Sequence, residues 1–370
     1  MLGFLRPSAA VSRHVISTPT RHHALLSRRF HYTPLRAAIA HPITAHGPPP
    51  KAPSASSEFK PSDDADSVRE EVSKARAAQS AALKKRFWKH VNITKKQGMF
   101  ALREGEYQVL LDTRPLRTPS KDILSVPATK PHLAHAIALE WDVMTTAQQA
   151  LKTHMIPLTS MAARAGDIAQ EDARGDSTTR DDIITTAMRY LETDTLLCWV
   201  PEKNAFAVEE EGADGAGDKR ESLREMQVRV ASDVIAFLST KVWPGVEIKP
   251  ILDADSILPV SQSQATKDII KQWISGLQAY DLAALERGIL ASKSLLVAVR
   301  LVAEWSENFR HIQRPGQKRF GIEEAAEASS LEVKWQTDMW GEVEDTHDVD
   351  KEDLKRQLGS VIVVVSGESN

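Results

Sequence analysis

Cysteine is nearly absent from this sequence: Cys198 is the single one among 370 residues. One thiol excludes an intramolecular disulfide and any zinc site built from several cysteines. Cys198 lies in the apolar run 196–200, and no histidine stands near it in the sequence. We therefore interpret it as a small buried side chain rather than a catalytic nucleophile.

Long hydrophobic runs are also missing. The most apolar stretch, 288–305, is interrupted by Lys293 and Arg300, and the valine-rich run 361–365 is far shorter than the ~20 residues that a membrane helix needs. We predict no membrane span. The β-branched run indicates instead a buried final strand that returns to the β-rich part of the fold.

Acidic residues do not occur in the first 57 positions, which hold six arginines and Lys51. A basic segment rich in Ser, Thr and Ala is typical of a mitochondrial transit peptide, so residues 1–46 are predicted to direct the chain to the mitochondrial matrix. A basic arm that binds nucleic acid or lipid headgroups is the alternative. The formal net charge is −3, which leaves the remainder of the chain at −10 and argues against a nucleic-acid-binding protein.

The usual catalytic signatures are missing too, since neither G-x-G-x-x-G nor G-x-S-x-G occurs. Residues 212–219 have the outline of a phosphate loop, but Asp218 stands where such a loop needs lysine. We predict no catalytic residue, no cofactor and no metal. The segment 342–350 is nevertheless dense in carboxylates around His347, so a metal-dependent matrix enzyme is kept as an alternative.

Local patterns indicate an α+β fold with a small β-rich N-terminal domain (86–130) and a larger, mostly helical C-terminal domain (131–358). A Pro/Ser-rich linker or leading helix (47–85) precedes them, and a terminal strand and tail (359–370) follow. The acidic, Gly-rich segment 207–218 predicts a surface loop. Helices are predicted over 131–144, 157–173, 178–191, 222–242, 266–276, 277–304 and 323–340.

Two of the eight tryptophans, Trp335 and Trp340, lie close together at the end of the predicted helix 323–340. In a single helix, Ala325, Ala328 and Glu332 would share one stripe, which is too small and polar to make good core. We interpret this region as a surface for a partner protein, with tryptophan as the apolar contact and Glu332 as the charge partner. An ordinary surface carboxylate is the alternative.

Several short strings occur in a characteristic order. They are RFWKHV (86–91), LDTRPLRTP (111–119), ALEW (138–141), MIPLT (155–159), YLETDT (190–195), and LE, WGEVE and HD within 331–348. Together they resemble the mitochondrial chaperones that assemble the F1 ATP synthase by acting on its alpha subunit. The resemblance spans about residues 86–366.

This resemblance implies a matrix chaperone that is not an enzyme. Its partner would be the unassembled F1 alpha subunit, whose interface it would cover until the beta subunit replaces it. The family's C-terminal motif falls on 331–348, and we expect Glu332 to be the most sensitive position. The partner-binding residues predicted here are Glu332, Trp335, Trp340, Glu344, His347 and Asp348. A mitochondrial RNA-associated protein is a further alternative, which the acidic body opposes.

Overall fold

A computed structural model describes residues 85–96, 105–201, 221–252, 258–313, 316, 318–343 and 345–368. The predicted transit peptide, nearly all of the predicted linker and the predicted acidic loop lie outside these residues. The chain divides into the units Met1–Ser62 and Asp63–Asn370, and every described residue belongs to the second. In the part of the chain that is described, no helix is both long and apolar enough to cross a bilayer.

The described β-structure is one antiparallel sheet of four strands, as the sequence predicted for this region. The strands are β1 (Val91–Lys96), β2 (Glu106–Leu111), β3 (Arg114–Pro115) and β4 (Ser125–Pro127). Strand β2 is central and pairs with the other three, which brings Ile93 of β1 opposite Val109 and Val126 of β4 opposite Tyr107. Val109 and Val126 are buried, so one sheet face joins the core.

Helices make up most of the rest, and this confirms the α+β class. They are α1 (Pro131–Asp142), α2 (Pro157–Arg174), α3 (Thr178–Glu192), α4 (Leu223–Phe237, continuing as a π turn Leu238–Val242), α5 (Gln264–Ser275), α6 (Ala279–Ser292), α7 (Leu295–Trp305), α8 (Ile322–Ser329), α9 (Leu331–Trp340) and α10 (His347–Val365). Local signals explain several starts. Pro131 and Pro157 occupy first turns, where proline's missing N–H costs nothing, while Ser222 and Ser263 cap α4 and α5.

The centre of the helical part is the pair α6 and α7, which was predicted as one helix over 277–304. That prediction was wrong, because Lys293 takes a left-handed conformation (φ 58°) and ends α6. Ser294 then caps α7 by accepting from the Val297 N–H at 3.1 Å. The chain turns here because the polar groups freed at the break find local partners.

The predicted helix 323–340 is likewise two helices, α8 and α9, which are separated at Ser330. The Ser330 hydroxyl donates to the Ala326 carbonyl at 2.7 Å and so satisfies an acceptor at the end of α8. Ala325 and Ala328 are buried, so the expected stripe of exposed small residues leading to Glu332 does not exist. Those alanines are core because their small side chains allow α8 to approach its neighbours closely.

The predicted terminal strand is also wrong, since Val361–Val365 form the last turns of α10. Leu358, Val361 and Val365 recur at helical spacing and are fully buried, and α10 packs mainly on α6. Burial of that apolar face outweighs the β preference of valine. The predicted boundary at residue 359 therefore falls inside a helix, whereas the division between 86–130 and 131–358 stays a prediction.

The chain end does return to the β-rich part, although as a helix and a short extension. Lys130, which follows β4, is buried, and its ammonium donates to the carbonyls of Val365 (3.0 Å) and Ser366 (3.1 Å). The Glu368 N–H donates to the Thr129 carbonyl at 2.7 Å. These bonds join the end of the sheet to the end of α10.

Candidate partner-binding surface

Helix α9 carries three of the predicted partner-binding residues and is attached to the body by one edge. It packs against α4 and α8. Within α9, whose ten residues are all described, only Leu331 is buried. Most of this helix is therefore presented to solvent rather than to the core.

Glu332 and several large apolar side chains share the exposed side of α9. At about 100° per residue, Glu332, Val333, Gln336, Met339 and Trp340 fall within one arc of the helix, which we call the α9 face. Trp340 is 74% exposed, Met339 49% and Val333 45%. Apolar side chains that cluster in solvent around a single carboxylate are typical of a protein-binding surface.

The two predicted tryptophans do meet. The rings of Trp335 and Trp340 make an edge-to-face contact, with centroids 5.9 Å apart and planes at 88°. Trp335 is half-buried. Its contact with the exposed ring of Trp340 limits the rotamers that Trp340 can adopt.

A buried glutamine holds Glu332 to the body of the protein. Gln227 on α4 is 5% exposed, and its amide nitrogen lies 3.4 Å from Glu332 Oε1. The same nitrogen donates to the Cys198 carbonyl at 3.3 Å, and the side-chain oxygen Oε1 of Gln227 accepts from the Val200 N–H at 2.9 Å. Because Gln227 is fixed from both ends, it positions the Glu332 carboxylate before any partner arrives.

Cys198 was predicted to be buried, but its side chain is half-buried, close to the contact between Gln227 and Glu332. Burial above all, with the carboxylates of Asp194 and Glu332 in addition, raises the pKa of the Cys198 thiol. A nucleophilic cysteine needs the opposite shift. The electrostatics therefore favour the structural interpretation of this residue.

Sequence reasoning missed Gln227 and its neighbour Arg224. The Arg224 guanidinium donates to the Val200 carbonyl at 2.7 Å and lies 5.9 Å from the centre of the Trp199 ring. A signal for Gln227 was present, because it is the one polar member of an otherwise apolar helical stripe. The buried positions of that stripe are Leu223, Gln227, Ala231 and Val234.

Of the remaining predicted residues, two lie at the start of α10 and one lies outside the described part of the chain. The Val343 N–H donates to His347 Nδ1 at 3.1 Å, and Asp348 is exposed in the first turn of α10, where its charge suits the helix dipole. Glu344 lies outside the described residues. No hydrogen bond, ion pair or ring contact between described residues joins His347 or Asp348 to α9.

The metal-enzyme alternative gains no support from this geometry. In the described part of the chain, no three His, Cys, Asp or Glu side chains are arranged to hold a metal ion. One ring nitrogen of His347 is already occupied by the backbone contact to Val343. A histidine used in this way stabilises the first turn of α10.

Comparison with known proteins identifies the family. A family model described as ATP12 chaperone protein matches residues 85–239. The mitochondrial protein atp12 of Schizosaccharomyces pombe is 32% identical over 281 residues, which cover 76% of this chain and 81% of the relative. Mitochondrial ATP12 of Saccharomyces cerevisiae is 30% identical over 288 residues, with coverage of 75% and 82%. This chain belongs to the ATP12 chaperone family.

The fold agrees with this membership. The crystal structure of the Atu1473 protein from Agrobacterium tumefaciens has the same fold, with a TM-score of 0.51 and 21% identity over 76% of this chain and 85% of that one. The predicted family resemblance is thus confirmed. The ATP12 model match ends at residue 239, so it includes Gln227 but not α9. The roles of Glu332, Trp335 and Trp340 therefore stay predictions.

Proposed function

We propose that this chain is an assembly chaperone for the mitochondrial F1 ATP synthase. It acts in the matrix, where it binds the unassembled alpha subunit and shields its subunit interface until the beta subunit takes its place. Membership of the ATP12 chaperone family supports the chaperone activity, and the mitochondrial names of both yeast relatives support the compartment. The exposed α9 face, with apolar side chains around one carboxylate, is the observation that carries the proposal of a protein partner.

The physical need for such a protein follows from the state of an orphan subunit. A subunit that normally lies within an oligomer exposes a large apolar interface, and this surface aggregates in water. Trp340 and Met339 on the α9 face offer apolar cover, and Glu332 offers a charge partner for a basic group. Because Gln227 already holds Glu332, little side-chain entropy is lost when the partner binds.

Release requires that the complex be weaker than the assembled enzyme. A face built on one helix buries less area than a permanent subunit interface, so the beta subunit can displace the chaperone by mass action. Affinity of this intermediate strength is set mainly by the dissociation rate. In this mechanism no covalent bond is made or broken.

The decisive experiment is capture of purified F1 alpha subunit by the full chain and by Glu332→Lys. Reversing the charge places a cation against the partner's basic group, so we expect the affinity to fall at least about tenfold. Asp338→Lys is the matched control, because Asp338 is exposed on the same helix about 120° away from Glu332. Thermal unfolding of both variants shows whether the fold is kept.

The affinities of the three proteins for the alpha subunit distinguish the possible outcomes. Loss of binding in Glu332→Lys alone supports the α9 face as the partner surface. Equal affinity of all three proteins for the alpha subunit would place the interface elsewhere. A wild-type chain that captures no alpha subunit would contradict the proposed function itself.

A further inference from the structure

A small cavity lies among elements that do not include α9. Its volume is about 80 Å³, and it lies between the 3₁₀ turn Thr153–Met155, the start of α2, helix α6 and helix α10. The side chains of Arg356 and Asp353 at its edge are 45% and 44% exposed, so the cavity opens to solvent. Asp353 is the one carboxylate of its lining. The other polar lining residues carry hydrogen-bond donors, and they are Thr153, His154, Arg287, Arg356, Gln357 and Ser360.

Arg287 is the unusual member of this lining. It is half-buried on α6, yet it makes no hydrogen bond, ion pair or ring contact with any residue that the structure describes. Its neighbour Glu286 forms a two-fold contact with Arg164, with both N···O distances at 3.1 Å. A guanidinium has five donors and no acceptor, so Arg287 is a partly dehydrated cation that has no anion among the described residues.

The other charges at the cavity are already satisfied by one another. Arg356 donates to the His154 carbonyl and to Asp353 Oδ1, both at 2.5 Å. The second Asp353 oxygen accepts from the Gln357 amide at 2.6 Å. The hydrogen bond from Arg356 above all lowers the pKa of Asp353, which stays ionised. Among the described residues that line the cavity, Arg287 is therefore the cation with no carboxylate partner.

We propose that this cavity binds the carboxylate of an acidic side chain on a bound protein, with Arg287 as its principal ligand. A planar guanidinium and a carboxylate pair through two parallel hydrogen bonds. The Asp353 carboxylate in the wall repels a phosphate dianion more strongly than a singly charged carboxylate. The volume suffices for a carboxylate and the methylene next to it.

A side chain on a bound protein fits the site better than a free metabolite. One open arginine binds a small free carboxylate only weakly, and the acidic body of the chain, at −10 beyond residue 57, repels small anions. A carboxylate that is carried to the cavity by a protein docked elsewhere gains from its high effective concentration. That this protein is the F1 alpha subunit rests on the proposed function. The existence of the anion site does not.

Two variants test the site. Because Arg287 has no described partner, Arg287→Gln is expected to leave the melting temperature unchanged while it removes the ligand, and Arg287→Lys keeps the charge but not the paired geometry. Lys351→Gln is the matched control, since Lys351 is exposed on α10, makes no described contact and does not line the cavity. It removes the same charge from one of the helices that form the cavity, at a position outside the lining.

The first measurement is an NMR titration of the full chain with N-acetylglutamate amide, which carries a single side-chain carboxylate. Because a free carboxylate binds weakly, we expect shifts around Thr153 and Gln357 that grow with ligand concentration, and that are lost in Arg287→Gln, reduced in Arg287→Lys and kept in Lys351→Gln. N-acetylglutamine amide should cause no such shifts. Absence of such Arg287-dependent shifts in the wild-type chain, or tighter binding of inorganic phosphate at the same residues, would overturn the proposed carboxylate site.

The second measurement is the affinity of the same variants for purified F1 alpha subunit. Loss of one paired ionic contact should weaken binding about tenfold in Arg287→Gln and leave Lys351→Gln unchanged. Unchanged affinity in Arg287→Gln would overturn the assignment of the carboxylate to the alpha subunit. If the wild-type chain itself fails to bind the alpha subunit, the proposed function fails, and the titration alone decides whether the anion site exists.

Discussion

At the residue scale, Asp194 shows how a buried charge can shape the fold. It is fully buried, and its carboxylate accepts from the Leu196 N–H and from the Leu296 N–H at the start of α7, each at 3.0 Å. It therefore ties the segment after α3 to the central helix α7. Burial is the largest influence on this carboxyl group and raises the pKa of Asp194 to about 6, although the hydrogen bonds act in the opposite direction.

This shift predicts a pH dependence of stability with a definite sign. The pKa of about 6 in the folded state exceeds the usual value of 3.8, so the native state binds the proton more tightly than the unfolded state. The contribution of Asp194 to the free energy of unfolding is therefore full below pH ~4 and falls as the pH rises through 6, by about 3 kcal/mol. Urea unfolding between pH 4.5 and 7.5 follows about 2 kcal/mol of this fall, because the remainder occurs below pH 4.5.

Asp194→Asn is the comparison, because this amide cannot ionise. Subtracting the two stability profiles cancels the titration of the other groups. The free energy of unfolding of the wild type minus that of the variant should fall as the pH rises from 4.5 to 7.5. A difference that stays constant, or that grows with pH, would mean that the folded-state pKa of Asp194 is not raised.

At the scale of elements, sequence patterns located the helices better than their ends. Pro131 and Pro157 predicted helix starts correctly, because proline's restricted φ acts within its own turn. The break at Lys293 was missed, because the sequence shows neither the left-handed conformation of Lys293 nor the remote Asp194 carboxylate that receives the freed Leu296 N–H. The valines at 361–365 were wrongly predicted to form a strand for a similar reason, since their helical state depends on packing against α6.

Two glycines inside helices give opposite predictions that depend only on packing. A Cβ at Gly288 of α6 would lie 3.1 Å from the Ala298 Cβ of α7, whereas a Cβ at Gly166 of α2 would meet nothing within 4 Å. Gly288→Leu should therefore lower the free energy of unfolding by about 1–3 kcal/mol through overpacking. Gly166→Ala should raise it by about 0.5–1 kcal/mol, because alanine loses less backbone entropy.

Urea unfolding of both glycine variants checks these values against the wild-type chain. The Gly166 variant is the control for helix propensity, since both substitutions favour the helical backbone. If Gly288→Leu proved as stable as wild type, α6 and α7 would have to separate more easily than their close contact at Ala298 implies.

At the scale of the molecule, the candidate site was only partly accessible from sequence. Glu332 and the tryptophan pair could be found because a carboxylate and two aromatic side chains lie close together in one segment. Gln227 lies about a hundred residues earlier, and its contact with Glu332 exists only once α9 has packed on α4. Arg287 was missed because only the fold shows that it has no partner among the described residues.

The connection between the sheet and the chain end gives the last prediction. The Lys130 ammonium lies 2.7 Å from Glu307 Oε1 and also holds the carbonyls at the end of α10. Its side chain is 3% exposed and that of Glu307 is 17% exposed. Lys130→Met leaves the Glu307 carboxylate without its cation in a poorly solvated place, so we expect a loss of about 3–5 kcal/mol in the free energy of unfolding.

Lys249→Met is the matched control for this change. Lys249 also pairs with a glutamate, Glu247, but at 3.6 Å and with side chains that are 52% and 77% exposed. Such a pair contributes at most about 1 kcal/mol, because water solvates both charges in either state. Urea unfolding that gave similar losses for both variants would show that burial does not strengthen the Lys130 contact. The sheet and the end of α10 would then be joined mainly by apolar packing and by the hydrogen bond from the Glu368 N–H to the Thr129 carbonyl.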